Sequence, residues 1–436
     1  MTCAEAIAYI LSIPRLPPQP DLVRMNSLAN RLGNPQKLLR CIHIAGTNGK
    51  GSTAAMTAAV LSAADYKTGL FTSPYLEQFQ ERIQIDGTPI SPGALSRLTE
   101  LVQQQARSME KAGEGTPTAF EQVTAIGFLY FLEQHCDFVV LEAGLGGRLD
   151  ATNIIPPPLA AAVTSISRDH TGVLGGTLEQ IALQKCGILK KGSRGVAAPG
   201  QPSTVLSVIR EHCRTQAIPL LEPVRPSVSQ METGLWGSRF SLCGKTYAIP
   251  LLGLHQIDNA VTSLSLIRQL RAAGYSISQE AEERGLGAVR WPGRLELICS
   301  APQVLLDAAH NPGGIASLCD ALNQYFPDTP PVTVMGMLSD KEYALCAAEL
   351  ARRSRVMIAV SPPECSRAVP AEKFAEAAAP YCPDVRRADS LSQALEQGLE
   401  LVGKGGLLLV CGSIPLIGSA RTELIGRHLE CGERFF

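Results

Sequence analysis

The sequence predicts an α/β protein: an N-terminal P-loop-type, doubly wound, mostly parallel sheet domain and a smaller C-terminal Rossmann-like α/β domain. Three observations carry this. Short apolar runs (41–45, 137–142, 160–166) alternate with helix-compatible segments, as parallel strands joined by crossover helices do. The first run ends in a glycine-rich turn, Gly46-Thr47-Asn48-Gly49-Lys50-Gly51-Ser52, which leads into a helical stretch to Ala63. After Trp291-Pro292-Gly293-Arg294 the alternation restarts, dividing the chain into 1–290 and 291–436.

A chain of 436 residues, 45% hydrophobic and 18% charged, has the composition of a globular protein with more than one core. Its net charge of −1 lacks the basic footprint of a nucleic-acid binder. No apolar stretch is long enough to span a membrane, and the start, with Glu5 and no basic segment, does not read as a signal peptide. The 13 cysteines contain no Cys-x-x-Cys pair and read as buried thiols of a reducing compartment, which places the protein in the cytoplasm.

In order, the chain predicts a helix over 3–11, a proline-rich turn (Pro14, Pro17, Pro18, Pro20) and a short helix to Leu32. The strand at 41–45 and its loop follow, then a strand at 67–72 and a small β-excursion over 82–88. Residues 92–111 read as a charged outer helix, and 118–134 as a helix with apolar positions Phe120, Val123, Ile126, Leu129 and Leu132. A strand ends at Glu142 and another at Ile166; helix, strand and helix continue to Arg214. A β-rich stretch (219–250) precedes a long helix over 255–270. In the second unit, strands at 303–308, 331–336, 354–360 and 406–411 alternate with helices from Pro312, over 341–353 and over 370–379.

Ligands of open α/β sheets sit beyond the carboxyl ends of the strands. The loop Gly46–Ser52 presents backbone N–H groups and a helix start to a phosphate; Lys50 can neutralise phosphate charge and Ser52 can meet a phosphate-bound Mg²⁺. The loop is a variant, because Gly51 rather than Ser or Thr follows Lys50. Ser73, Glu142 and His170, each near a strand end, could surround one hard cation shared with phosphate oxygens. Asp307 and His310 occupy such an end in the second unit. Lys185, on a helix, reads from sequence as a solvated charge.

These residues together resemble the folylpolyglutamate synthase/dihydrofolate synthase family of Mur-type ATP-dependent amide ligases. The matches run nearly end to end, through His43–Ser52, Thr72–Pro74, Pro117–Glu121, Leu141–Asn153, Asp169–Gly175, Gln184–Ile188, His255–Ala260, Trp291–Arg294, Asp307–Pro312 and Ser339–Glu342. The resemblance implies that Gly46, Thr47, Asn48, Gly49, Lys50, Gly51 and Ser52 hold ATP, with Asn259, Arg294, Asp307 and His310. It implies two Mg²⁺ sites with Ser52, Ser73, Glu142, His170 and Lys185 as ligands, the lysine carrying a CO₂-derived carbamate. That reverses the solvated reading of Lys185. Lys50, Glu142, His170, Lys185 and Arg294 would be the catalytic set, and Thr118, Ala119, Phe120, Glu121, Leu149, Asp150 and Ala151 would line the pterin-bearing pocket. Tyr75, Gln184 and Cys186 depart from the residues usual in the family, which are His, Glu and Ala.

The implied reaction adds L-glutamate to dihydropteroate and to reduced folates through an acyl phosphate, in a monomer with small-molecule partners only. A chain with folylpolyglutamate synthase activity alone is the nearest alternative. A nucleotide-binding regulatory module would not need Glu142, His170, Lys185 and Asp307 together. A cell-wall Mur ligase would place a further domain before the loop, and a P-loop kinase would carry Ser or Thr directly after the lysine.

Overall fold

The structure, a computed structural model, describes residues 1–14, 21–223, 228–363 and 365–427. Of the proline-rich turn, Pro17, Pro18 and Pro20 lie outside the described residues. The first of three sheets contains β1 (Cys41–Ala45), β2 (Thr68–Phe71), β3 (Ile83–Ile85), β4 (Thr88–Pro89), β5 (Phe138–Glu142), β6 (Ala160–Val163), β7 (Gly195–Ala197) and β8 (Leu220–Leu221). Their spatial order is β4-β3-β2-β5-β1-β6-β7-β8, parallel except for the β2–β3–β4 edge. All residues of β1, β5 and β6 are buried, so these strands read as continuous apolar runs with helices on both faces.

Register decides where the chemistry converges. Ile44 pairs with Glu142 across β1 and β5, and Ala45 pairs with Val163 across β1 and β6. The carboxyl ends of the three central strands therefore stop level, and their loops open on the same side. β6 ends at Val163, short of the expected Ile166. Beyond it the Ser165 carbonyl accepts the Thr47 amide at 2.8 Å, so this backbone holds the glycine-rich loop instead of extending the ladder.

The helix Lys50–Ala63 buries Ala54, Met56, Val60 and Leu61 on one face of the sheet, against the helices Leu254–Ala272 and Gln279–Ala288. Gly285 permits the closest of these crossings: a Cβ there would lie 2.5 Å from the Val60 Cα. On the opposite face, Pro92–Lys111 and Ala119–Glu133 pack around Phe71, Phe128 and Phe131. The outer helix is thus amphipathic, burying Leu95, Leu98, Val102 and Met109. An antiparallel sheet of β9 (Val228–Gly234), β10 (Gly237–Leu242) and β11 (Lys245–Ile249) adds Phe240, Tyr247 and Ile249 to the core around Val60.

The third sheet contains β12 (Glu296–Ser300), β13 (Gln303–Asp307), β14 (Val332–Met335), β15 (Val356–Ala359), β16 (Val385–Arg387) and β17 (Leu407–Cys411), ordered β12-β13-β17-β14-β15-β16. It is parallel except where β12 folds back on β13. The antiparallel β12, the short β16 and the helices Gln279–Ala288, Leu391–Val402 and Ile414–Gly426 go beyond the sequence reading. Eleven of the described cysteines are free thiols.

Two contacts join the outer sheets beside the cleft. Leu76, in the loop after β2, meets the helix Ile414–Gly426 at Gly418, where a Cβ would lie 2.0 Å from the Leu76 carbonyl oxygen. Next to it Arg421 bridges Glu77 at 2.5 Å and Glu296 at 3.0 Å. Gly418→Ala therefore overpacks this junction and is expected to cost about 1–3 kcal/mol. A lowered melting temperature checks this; an unchanged one would show that the two elements do not press together.

Candidate active site

The glycine-rich loop is shaped by what surrounds it. At Gly46 a Cβ would lie 1.7 Å from the Thr164 Oγ1, and at Gly49, whose φ is +84°, 2.2 Å from the Asn259 Oδ1. Thr164 Oγ1 donates to the Asn48 carbonyl at 2.8 Å, and Thr47 Oγ1 donates to the Ser167 carbonyl at 3.0 Å. Gly49 is the N-cap of the 14-residue helix that begins at Lys50 and makes no side-chain cap. The first amides of that helix have no intrahelical acceptor and face a cleft, which makes them a phosphate cradle. Gly49→Ala is expected to weaken nucleotide binding at least tenfold, through both the backbone and the Asn259 contact; ADP titration measures it.

The cleft, of about 470 Å³, lies between the first and third sheets. Lys50 enters it with its Nζ 3.0 Å from the Thr47 carbonyl. Glu142, at the end of β5, is 6% exposed and accepts the Ser73 amide at 3.1 Å. Burial raises its carboxyl above the usual range, against the pull of Lys50 and Arg294. Ser52 is buried at the mouth of the helix and Ser73 lines the same wall.

Lys185 corrects the direct sequence reading. Its helix, Leu178–Cys186, turns the side chain inward; it is 5% exposed and donates to the Gly46 carbonyl at 2.6 Å. Burial, with Lys50 nearby, pushes its ammonium down to about 7. At neutral pH a large fraction is therefore the free amine, a nucleophile.

From the third sheet come Arg294 and Asp307. Asp307, at the end of β13, accepts the amides of Leu295 and Ala309, each at 2.8 Å, and so clamps the turn that carries Arg294. Burial raises the Asp307 carboxyl and lowers the Arg294 guanidinium, while their mutual attraction opposes both shifts. His310 donates from Nδ1 to the Ala308 carbonyl at 2.8 Å, so that Nε2 is left as the acceptor. Burial pushes its pKa to about 4, and the ring is neutral. Asn259 donates to Gln256 at 3.0 Å, with its oxygen against Gly49.

The seven residues expected to line the pterin-bearing pocket lie outside this cleft, whereas His170 lines it. Thr118 and Glu121 form a capping box on the helix Ala119–Glu133, and Glu121 also pairs with Arg24 at 3.3 Å. Phe120 packs under the Gly144 turn and against Phe71, centroids 6.0 Å apart. Asp150 accepts the Leu145 amide at 2.8 Å and the Thr152 hydroxyl at 2.5 Å, holding the turn that follows β5. Ala119 is half-buried, Ala151 is buried and Leu149 is 45% exposed; none of the seven lines the cleft. His170 faces Lys341, its Nε2 3.1 Å from the Nζ.

The sequence reading gave no individual role to Asp169, Asn311 and Lys341, which the structure brings together. Lys341 pairs with Asp169 at 2.7 Å across 172 residues of chain. Burial works to raise the Asp169 carboxyl, but Lys341, His170 and His310 outweigh it and hold it well below the usual range. The signal was present in the Asp-His, Asn-Pro and Ser-Asp-Lys runs, but only folding shows that they share one node.

A glycine-rich loop at a helix start, a buried carboxylate and a buried lysine on the side of the first sheet, facing an Arg–Asp pair from the third, form the arrangement expected of a Mur-type ligase. Residues 44–267 match the Mur ligase middle domain and residues 293–414 the Mur ligase glutamate ligase domain. The chain is 41% identical over 333 residues to the dihydrofolate synthase/folylpolyglutamate synthase of Bacillus subtilis, covering 74% of this chain and 77% of that protein. It is 35% identical over 434 residues to the folylpolyglutamate synthase of Lacticaseibacillus casei, covering 98% and 99%. Among solved structures, Mycobacterium tuberculosis folylpolyglutamate synthase complexed with ADP and AMPPCP superposes with a TM-score of 0.88 at 31% identity, covering 97% and 98% of the two chains. The chain belongs to the folylpolyglutamate synthase/dihydrofolate synthase family of ATP-dependent ligases. Among the described residues, no helix is long and apolar enough to cross a membrane.

Proposed function

We propose that this chain is bifunctional, joining L-glutamate to the carboxylate of dihydropteroate and extending reduced folates by further glutamates. The observation that carries this is the convergence of Lys50, Glu142, Lys185, Arg294 and Asp307 on one cleft, two of them from the third sheet. The names of the Bacillus subtilis and Mycobacterium tuberculosis relatives, both dihydrofolate synthase/folylpolyglutamate synthase, support two activities. Residues 1–290 would hold ATP and the acceptor, and 291–436 would supply the glutamate side.

An unactivated carboxylate does not react with an amine, so the reaction needs a leaving group. The acceptor carboxylate attacks the γ-phosphorus of ATP, forming an O–P bond as the bond to ADP breaks. The glutamate amine then attacks the acyl carbon, losing a proton, and phosphate departs. The protein supplies positioning and charge neutralisation. The loop Gly46–Ser52 and Asn259 hold the nucleotide; Lys50 balances the phosphates; Arg294, fixed by Asp307, faces the transferring group, and His310 stands beside it. Thr118–Glu121 and Leu149–Ala151 would line the pterin-bearing pocket.

The donor set fits Mg²⁺. Ser52, Ser73 and Glu142 offer hard oxygen donors, and a buried carboxylate with a raised pKa is poised to meet a cation. Among the described residues no group of three or more His, Cys, Asp or Glu could hold a metal by itself, and Ser52, Ser73 and Glu142 would hold it together with the nucleotide's phosphates. Two bound Mg²⁺ ions would neutralise the phosphates and polarise the transferred group. His170, whose Nε2 lies 3.1 Å from Lys341 Nζ, would be a further ligand. The Lys185 amine is suited to add CO₂, forming an N–C bond and releasing a proton, which would turn it into a carboxylate-like ligand. The eleven free cysteines among the described residues fit a cytoplasmic enzyme, which we take to act as a monomer.

The test is phosphate release from ATP with Mg²⁺ and L-glutamate, adding dihydropteroate or a reduced folate, with products identified by mass. Turnover of both acceptors is expected. Turnover of the reduced folate alone would reduce the reading to a folylpolyglutamate synthase, and turnover of neither would overturn it.

A further inference from the structure

Asn311 is the N-cap of the helix Pro312–Tyr325, its Oδ1 accepting the Gly314 amide at 2.8 Å. Capping uses only that oxygen, and Ser or Asp would supply it as well. The same side chain also crosses to the first sheet. Asn48 Nδ2 donates to Asn311 Oδ1 at 3.2 Å, and Asn311 Nδ2 donates back to Asn48 Oδ1 at 3.0 Å. Asn311 Nδ2 also donates to Asp169 Oδ2 at 3.2 Å. The amide orientation is forced, since the Gly314 N–H needs an acceptor and the Asp169 carboxylate a donor.

Asn311 is 2% exposed, so its ends of these bonds are made away from water. Its neighbour Gly313 leaves no slack: a Cβ there would lie 2.9 Å from Ser167 Oγ and 3.2 Å from Asn48 Nδ2. The helix start thus comes down on two loops of the first sheet at once. One is the phosphate loop, through Asn48; the other is the Asp169–His170 turn, whose Asp169 is also tied to Lys341 of the third sheet.

We propose that Asn311 is a positioning residue for the nucleotide site: through Asn48 and Asp169 it sets the phosphate loop and the His170 turn in their working places only when the third sheet is docked. The inference rests on the ATP-dependent reading above. It makes docking of the two halves a condition of phosphate binding geometry, independent of any substrate that bridges them.

The test compares wild type, Asn48→Ala, Asn311→Asp and the double variant. Asn311→Asp keeps the helix cap, loses both donors and sets a second carboxylate against Asp169. It is expected to fold with a lowered melting temperature, from the lost donors and the paired carboxylates, while kcat/KM for ATP measured well below that temperature falls at least tenfold. Because the two amides act through each other, the double variant should be close to the worse single one. An Asn311→Asp enzyme within threefold of wild type, or single effects that multiply in the double variant, would overturn the proposal. Should Asn311→Asp fold poorly, Asn311→Ser caps the helix but cannot reach Asn48, and the same outcomes apply. Wild-type turnover in the same assay tests the ligase reading by itself. AMPPCP binding by the four proteins reads the coupling even where the acceptor proves to be a different one.

Discussion

Lys185→Met should lower turnover by about 100-fold or more while the protein stays folded. Methionine has nearly the length of lysine without its amine, so the buried channel stays filled. The cost to stability is about 1–2 kcal/mol, from the Gly46 carbonyl that loses its donor. A lysine serving only to bind that carbonyl would show this stability loss with turnover intact, whereas a metal-side ligand loses turnover. Measuring kcat beside a thermal melt separates the two. Depleting bicarbonate from the wild-type assay should lower its rate in the same direction, and leave the Met variant unaffected.

Lys50→Met should be comparably severe, with kcat down about 100- to 1,000-fold. In this structure Lys50 rests on the Thr47 carbonyl at 3.0 Å, a weak tether that phosphate oxygens can replace. It is the loop's only cation, and Glu142 feels it most among the charged groups. Removing it deprives the transferring phosphoryl group of a charge that is more useful in the transition state than in the ground state. The loss should therefore fall on kcat more than on KM for ATP, and steady-state kinetics reads that split. An effect confined to KM would assign Lys50 to nucleotide binding alone.

Much of this site was legible before folding. Glycine, lysine and serine in a loop behind a buried strand dictate a phosphate cradle, and the structure gives each glycine a physical reason. Gly46 is closed off by Thr164, Gly49 by Asn259 and Gly51 by Trp291. Glu142 was readable because an acidic residue ending an apolar strand has few other uses. Lys185 was not, because a helix carries no sequence mark of which lysine points inward; its role came only through resemblance. The edge strand β12 was hidden by the Trp-Pro-Gly-Arg break before it, and its pairing with β13 is a tertiary choice that local pattern does not contain. Asp169, Asn311 and Lys341 lie far apart in sequence, so their node exists only in three dimensions. At 118–121 and 149–151 the motif was legible, but the hydrogen bonds its side chains make were not. Here Glu121 and Asp150 spend their oxygens on backbone amides.

The central claim is that ATP activates a carboxylate by phosphoryl transfer, and isotope transfer tests it most directly. Dihydropteroate labelled with heavy oxygen in its carboxylate would be turned over with ATP, Mg²⁺ and L-glutamate, and the released phosphate analysed by mass. The acyl-phosphate route predicts one labelled oxygen in each inorganic phosphate formed. Phosphate free of label, or label appearing in AMP instead, would contradict it.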